Sequence, residues 1–94
     1  MAYELPVAAS APWAAETVGA LVTRLADNGS LVVVNARPGA ASAVALALDQ
    51  ARLPEVLGSI AGDDTVFVAP APGTSAARLR HRLDEFFFKK EKRE

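Results

Sequence analysis

The sequence predicts one α+β domain with the element order ββαββα, in which a four-stranded antiparallel sheet carries two helices on one face. Two pairs of short apolar runs are each joined by a turn signal, and each pair is followed by a segment with apolar residues at helical spacing. A length of 94 residues fits one such domain and not two. Two layers bury one face of the sheet and leave the other face wet or shared with another surface.

The first half of this pattern is a hairpin followed by a helix. The apolar runs Leu21–Leu25 and Leu31–Val34 flank Asp27–Gly29, whose aspartate, asparagine and glycine tolerate positive φ and favour a tight turn. A proline and a glycine then end the second strand. We predict a helix over residues 40–52, with an apolar face made of Val44, Leu48 and Ala51.

The second half repeats the arrangement. Leu57–Ala61 and Thr65–Ala69 are short apolar runs separated by Gly62–Asp64, which predicts a second hairpin. A stretch rich in proline and alanine follows, and Thr74 is the predicted N-cap of the last helix. The apolar face of that helix is predicted to consist of Ala76, Leu79, Leu83 and Phe86.

Composition excludes several classes of protein. The chain has no cysteine and a single histidine, His81, which rules out a disulfide framework and thiolate or multi-histidine metal sites. No uncharged stretch approaches the ~20 apolar residues that a membrane span needs. The start of the chain carries Glu4 and no basic segment, so no secretory signal is readable and a cytoplasmic protein is expected.

The distribution of charge divides the chain. Residues 1–17 are rich in alanine and proline without periodicity, which indicates a linker remnant before a domain of residues 18–88. Residues 38–76 hold one basic residue against four acidic ones. Residues 89–94 mix basic and acidic side chains, as is typical of a solvated helix end, and form a charged tail.

Three acidic residues of the middle segment are candidates for binding. Asp63 and Asp64 are adjacent in a predicted turn, and Asp49 lies near the end of the first helix, where a carboxylate is poorly placed in the helix dipole. Turns favour aspartate for its bonds to backbone amides, and a lone helix acid is usually solvated. Together the three could hold Mg²⁺ or Ca²⁺ or an organic cation. The chain has no phosphate-binding loop to accompany Mg²⁺, and a guanidinium presents a planar fork that suits carboxylates, which favours a cationic amino acid.

Three segments with their spacing resemble one known family. Arg37–Ala41 followed by Asp49 and then by Leu57–Thr65 (LGSIAGDDT) is similar to the C-terminal domain of bacterial arginine repressors. Members of that family carry a Pro-Gly-Ala-Ala-Gln helix start, an aspartate seven residues after the glutamine, and a Leu-Gly-Thr-Ile-Ala-Gly-Asp-Asp-Thr strand and turn. The resemblance covers about Ala20–Phe87, and the Gly-Asp-Asp segment is its most specific part.

The resemblance implies a domain that senses L-arginine as a corepressor and oligomerises, with no catalytic residue, metal or other cofactor. In the family, three copies form a trimer and two trimers stack into a hexamer around bound arginine, with one aspartate reaching across to the opposite trimer. Ser42 stands where the family has glutamine, and Ser59 stands where it has threonine. By position, the implied ligand-binding residues are Ser42, Asp49, Ser59, Ala61, Asp63 and Asp64.

Family members also carry a winged helix-turn-helix domain that binds DNA, and nothing before Ala20 has the length or basic pattern for one. We therefore expect this chain to be an excised sensory domain of a repressor of arginine metabolism genes, with DNA contacted only through a domain that it lacks. Two other functions stay open. One is a small metal-assisted enzyme using Asp49, Asp63 and Asp64, and the other is a structural trimerisation domain that has lost its ligand.

Overall fold

The computed structural model describes residues 18–88, and their elements follow the predicted order. The α+β class and the ββαββα order are confirmed. The predicted linker of residues 1–17 and tail of residues 89–94 lie outside the described residues. The elements are strand β1 (Val22–Asp27), strand β2 (Val32–Ala36), helix α1 (Ala41–Ala51), strand β3 (Val56–Ala61), strand β4 (Thr65–Pro70) and helix α2 (Ala76–Phe88).

The four strands form one antiparallel sheet in the order β1-β2-β4-β3. The two hairpins are therefore joined through β2 and β4, which occupy the centre, and β3 is an edge strand. Val33 of β2 and Ile60 of β3 are both register partners of Phe67 in β4. This register places one continuous row of apolar side chains across the sheet.

The core lies between the sheet and the two helices. Because side chains alternate along a strand, Val32, Val34, Val66 and Val68 all point from the central strands to the same side, where they are buried. Helix α1 packs mainly on β3 and β4, whereas α2 packs mainly on β1 and β2. No helix within residues 18–88 is long and apolar enough to cross a membrane.

Helix α1 begins against the second hairpin. Its N-cap residue, Ala40, makes no side-chain capping bond. The amide of Ala41 instead donates to the carbonyl of Asp63, 3.2 Å away, which satisfies one of the free donors at the start of the helix. At the other end Arg52 adopts a left-handed conformation with φ of 53° and ends the helix. The turn between β3 and β4 is thereby held at the N-terminal end of α1.

Two details of the last helix differ from the prediction. Thr74 was expected to cap the helix, but the Oγ of Ser75 accepts the amide of Arg78 at 3.0 Å, so Ser75 is the cap. Phe86 was expected on the buried face, yet Phe87 is buried and Phe86 only partly so. The buried positions of α2 thus run Ala76, Leu79, Leu83 and Phe87, and the last step of four residues keeps them over the sheet.

An ion pair joins the first hairpin to α2. The Nε of Arg80 lies 2.7 Å from the Oδ2 of Asp27, whose Oδ1 accepts the amide of Gly29. The bond from Arg80, aided by that of Gly29, lowers the pKa of Asp27 below its ordinary value of 3.8.

The stability of the domain is expected to depend on this carboxylate in acid. Since the pKa of Asp27 is lower in the folded than in the unfolded chain, its contribution is present above pH 3.8 and is lost as the pH falls through the folded pKa. Asp27→Asn should remove that part of the pH dependence, measured as the free energy of unfolding in urea between pH 6 and pH 2.5. Arg78→Met, which removes a charge from the same helix, should keep it. Identical pH profiles for Asp27→Asn and the parent chain would contradict this prediction.

Candidate functional site

The six residues implied by the resemblance lie along one edge of the domain, which we call the acidic edge. It consists of helix α1, the edge strand β3 and the turn that follows β3. Two hydrogen bonds, one near each end of α1, connect the helix to that strand and turn. The residues on this edge are Ser42 and Asp49 on α1, Ser59 and Ala61 on β3, and Asp63 and Asp64 in the turn.

One end of the acidic edge brings Asp49 and Ser59 together. The Oγ of Ser59 donates to the Oδ1 of Asp49 over 3.4 Å, a long bond between two residues that are ten positions apart in sequence. A surface depression of about 280 Å³ adjoins Asp49 and is also lined by Arg52 and Gly58. The carboxylate of Asp49 is thus accessible beside a concave surface. A small polar molecule can reach it there.

The other end of the acidic edge is the turn between β3 and β4. The amide of Gly62 donates to the carbonyl of Thr65 at 2.7 Å and closes the turn. The carbonyl of Asp64 accepts the amide of Ala36 at 2.8 Å, in addition to the bond between Ala41 and Asp63 described above. Backbone bonds therefore hold both aspartates to the end of β2 and the start of α1. Their exposed side chains project from a fixed backbone.

Ser42 belongs to this end of the edge, because it follows Ala41, whose amide bonds the turn. Ser42 and Asp49 are seven residues apart on α1, so they share a helix face and are separated by roughly 10 Å along the axis. Both are exposed. The helix therefore presents one polar group near the turn and one carboxylate near Ser59, with the acidic edge running between them.

Two consecutive side-chain hydrogen bonds, which were not predicted from the sequence, hold the carboxylate of Asp64. The Oγ1 of Thr65 donates to the Oδ1 of Asp64 at 2.9 Å, and the Nδ2 of Asn35 donates to the same Oγ1 at 3.2 Å. Within residues 18–88, neither Asp63 nor Asp64 accepts a backbone amide through its carboxylate. The usual reason for aspartate in a turn therefore does not account for this pair.

The spacing of these side chains suits an organic cation better than a metal ion bound by a single chain. In the part of the chain that the structure describes, no three histidine, cysteine, aspartate or glutamate side chains converge to hold a metal. Separate carboxylates spread along an edge instead suit an elongated molecule with more than one donor group, such as a cationic amino acid.

The side of the sheet that carries no helix within residues 18–88 is a second feature, which we call the outer face. Its exposed apolar side chains are Leu57, Ile60 and Phe67, of which 66%, 76% and 51% of the surface is accessible. They line a shallow depression of about 420 Å³ that has no charged group in its lining. This depression is larger than the one beside Asp49, but its apolar lining suits another protein surface and not a charged ligand. The sequence predicts that one face of the sheet is exposed to solvent or covered by another surface, but it does not indicate which residues lie there.

Comparison with known proteins adds one decisive observation. A family model described as "Arginine repressor, C-terminal domain" matches residues 18–85, most of the chain and nearly all of its described part. The chain belongs to this family. The resemblance noted in the sequence is therefore confirmed. The ββαββα domain with its Gly-Asp-Asp turn is an arginine repressor C-terminal domain.

Individual relatives agree with the family model. The chain is 52% identical over 81 residues to the arginine repressor of Anaeromyxobacter sp. (strain Fw109-5), which covers 86% of the chain and 51% of that protein. It is 46% identical over 80 residues to that of Desulforudis audaxviator (strain MP104C), covering 85% and 53% respectively. The chain thus spans about half the length of these relatives. Their name denotes a regulator and not a class of enzyme.

Proposed function

We propose that this domain senses L-arginine and assembles as trimers that stack in pairs, with arginine bound between the trimers. It acts as the sensory and oligomerisation part of a cytoplasmic transcriptional repressor of arginine metabolism genes. DNA is contacted by a domain that lies outside this chain. Residues 18–88 make up the sensory domain, preceded by a linker and followed by a charged tail.

One observation carries the ligand proposal. Three carboxylates, those of Asp49, Asp63 and Asp64, lie on a single edge, where a backbone bond joins the start of α1 to the turn and a side-chain bond joins Asp49 to β3. The guanidinium and ammonium groups of arginine each donate hydrogen bonds to carboxylates, and a guanidinium can bind a carboxylate in bidentate fashion. Ser42, Ser59 and the backbone near Ala61 supply further polar contacts. The names of the relatives point to the same amino acid.

The exposure of the acidic edge supports a site shared between chains. All three aspartates are exposed in the single chain, whereas a small ligand is usually surrounded on most of its surface. A second copy facing the acidic edge would enclose the ligand. The apolar outer face, in turn, provides a surface that association of copies would bury. Both features favour an oligomer whose stacking depends on arginine.

The serine at position 42 is the reason to consider a second candidate function. A serine side chain is shorter than the glutamine of the family and reaches less far toward a ligand, so a purely structural trimerisation domain is the second candidate function. The two candidates differ in a single property. The sensory domain binds arginine, and the structural domain assembles without it.

L-Arginine is expected to shift trimers of the chain to hexamers. A ligand that binds only across a pair of trimers stabilises that pair by mass action. The measurement is sedimentation at tens of micromolar protein with and without saturating L-arginine, alongside calorimetric titrations with L-arginine, L-lysine and Mg²⁺. Binding heat with arginine and a doubling of mass support the sensory domain. A trimer with no heat and no change of mass supports the structural domain, and a monomer or a heat only with Mg²⁺ contradicts both.

A further inference from the structure

Asn35 and Thr65 form a polar pair at one end of the outer face, where Arg24 of β1 is the register partner of Asn35. They are register partners on the central strands β2 and β4, although 30 residues separate them in sequence. Both alternate with buried residues, so their side chains stand on the outer face of the sheet and are partly buried. Thr65 is followed by the buried Val66 and preceded by Asp64. The pair therefore connects the sheet to the acidic edge.

The direction of each hydrogen bond in this pair follows from its chemistry. An ionised carboxylate only accepts hydrogen bonds, and a threonine hydroxyl has a single proton to donate. Thr65 therefore gives its proton to the Oδ1 of Asp64 and has only lone pairs left for Asn35. Asn35 must then present its NH₂ group and not its carbonyl, which is the orientation found. The chain runs from amide to hydroxyl to carboxylate in one direction.

We propose that Asn35 is a positioning residue for arginine recognition. Through the hydroxyl of Thr65, it holds the Oδ1 of Asp64 and turns the second oxygen, Oδ2, toward the ligand. The backbone contributes to the same effect, because the residue after Asn35 donates its amide to the carbonyl of Asp64. A carboxylate oriented before the ligand arrives loses less side-chain freedom on binding. This inference rests on the proposed function, since it assigns a role within the arginine site.

Removing either partner should weaken arginine binding without unfolding the domain. Asn35→Ala and Thr65→Val should each raise the Kd for L-arginine about two- to tenfold, the effect expected from freeing one side chain. Thr65→Ser, which retains the hydroxyl, should bind within about twofold of the parent chain. Thr74→Val, in the segment between β4 and α2 and beyond the opposite end of β4 from Thr65, is the matched control and should be unchanged.

A double-mutant cycle separates positioning from a general structural effect. If Asn35 acts through the carboxylate of Asp64, then Asn35→Ala should add nothing to the loss caused by Asp64→Asn. An equal loss in both backgrounds would overturn the inference, because the effect would then run through another group. Arginine binding by Asn35→Ala that equals the parent chain would overturn it as well. Circular dichroism of each variant checks that the fold is retained.

A measurement without ligand distinguishes failure of this inference from failure of the proposed function. The side-chain amide resonances of Asn35 in the free chain should shift in Thr65→Val and in Asp64→Asn, and stay in place in Thr74→Val. If the Asn35 side-chain resonances do not shift in Asp64→Asn, the proposed series of hydrogen bonds is wrong, whether or not the chain binds arginine. A parent chain with shifting resonances but no affinity for arginine would overturn the proposed function and, with it, the positioning role.

Discussion

Asp63→Asn and Asp64→Asn are expected to weaken L-arginine binding by roughly tenfold to more than a hundredfold while leaving the domain folded. Each substitution removes a charge-assisted hydrogen bond, worth on the order of 1.5 to 3 kcal/mol, and presents an NH₂ donor to a donor on the ligand. The backbone bonds of the turn do not involve these side chains and stay intact. Asparagine also tolerates turn conformations, so stability should hardly change. Calorimetric titration with L-arginine measures the loss.

The control for this prediction is Asp84→Asn, which removes the same charge from α2, away from the acidic edge. It should bind arginine like the parent chain. A second consequence concerns assembly, because in the proposed stack of trimers the clustered acids repel one another when no cation lies between them. Both site variants should therefore form hexamers more readily without arginine and respond less to its addition. If both variants bind arginine as the parent does, the assignment of Asp63 and Asp64 is wrong.

In the proposed oligomer, Phe67→Asp is expected to dissociate the chain into monomers at tens of micromolar. The ring of Phe67 lies at the centre of the outer face, between its register partners Val33 and Ile60. Burying such a side chain on association contributes roughly 1.5 to 3 kcal/mol, and each copy in the assembly loses that contribution. A buried carboxylate without a partner adds a desolvation cost. The sedimentation coefficient measures the dissociation.

Phe88→Asp is the matched control, since Phe88 is also exposed but lies at the end of α2 in the helix layer. This variant should keep the mass of the parent chain. The buried core is untouched by either change, because Val66 and Val68 on the opposite side of β4 provide the packing with the helices. Far-ultraviolet circular dichroism should thus be the same for both. Assembly of Phe67→Asp at the parent mass would mean that copies associate through another surface.

Much of the fold follows from local features of the sequence. The hairpin turn at Asn28 and Gly29 is encoded within a few residues, because the side chain of Asn28 accepts nearby amides and Gly29 has φ of 89°. The second hairpin and α1 are likewise within one residue or two of their predicted bounds. The cap of α2 was placed one residue early, at Thr74 and not Ser75, because adjacent hydroxyl residues offer the same local signal.

The candidate site was predicted in part. Asp49, Asp63 and Asp64 are visible in the sequence as acids in an otherwise weakly charged segment, and the family motif points to all six residues. Asn35 was missed because its partner Thr65 is 30 residues away, and only the pairing of β2 with β4 brings the two together. Two features of the sequence could have indicated this pair: Asn35 is a polar residue within an apolar strand, and Thr65 begins another apolar strand.

By itself, the sequence determined the element order, the family and the residue types of the acidic edge, because hydrophobic period, turn residues and a specific motif are all local in the chain. Only the tertiary structure decided the order β1-β2-β4-β3, the bond between Asp63 and the start of α1, and which apolar residues stay exposed on the outer face. Phe67 and Val68 look alike in a sequence, since both are apolar residues of a strand. The helices cover one side of the sheet and not the other, and that packing alone makes one residue core and its neighbour surface.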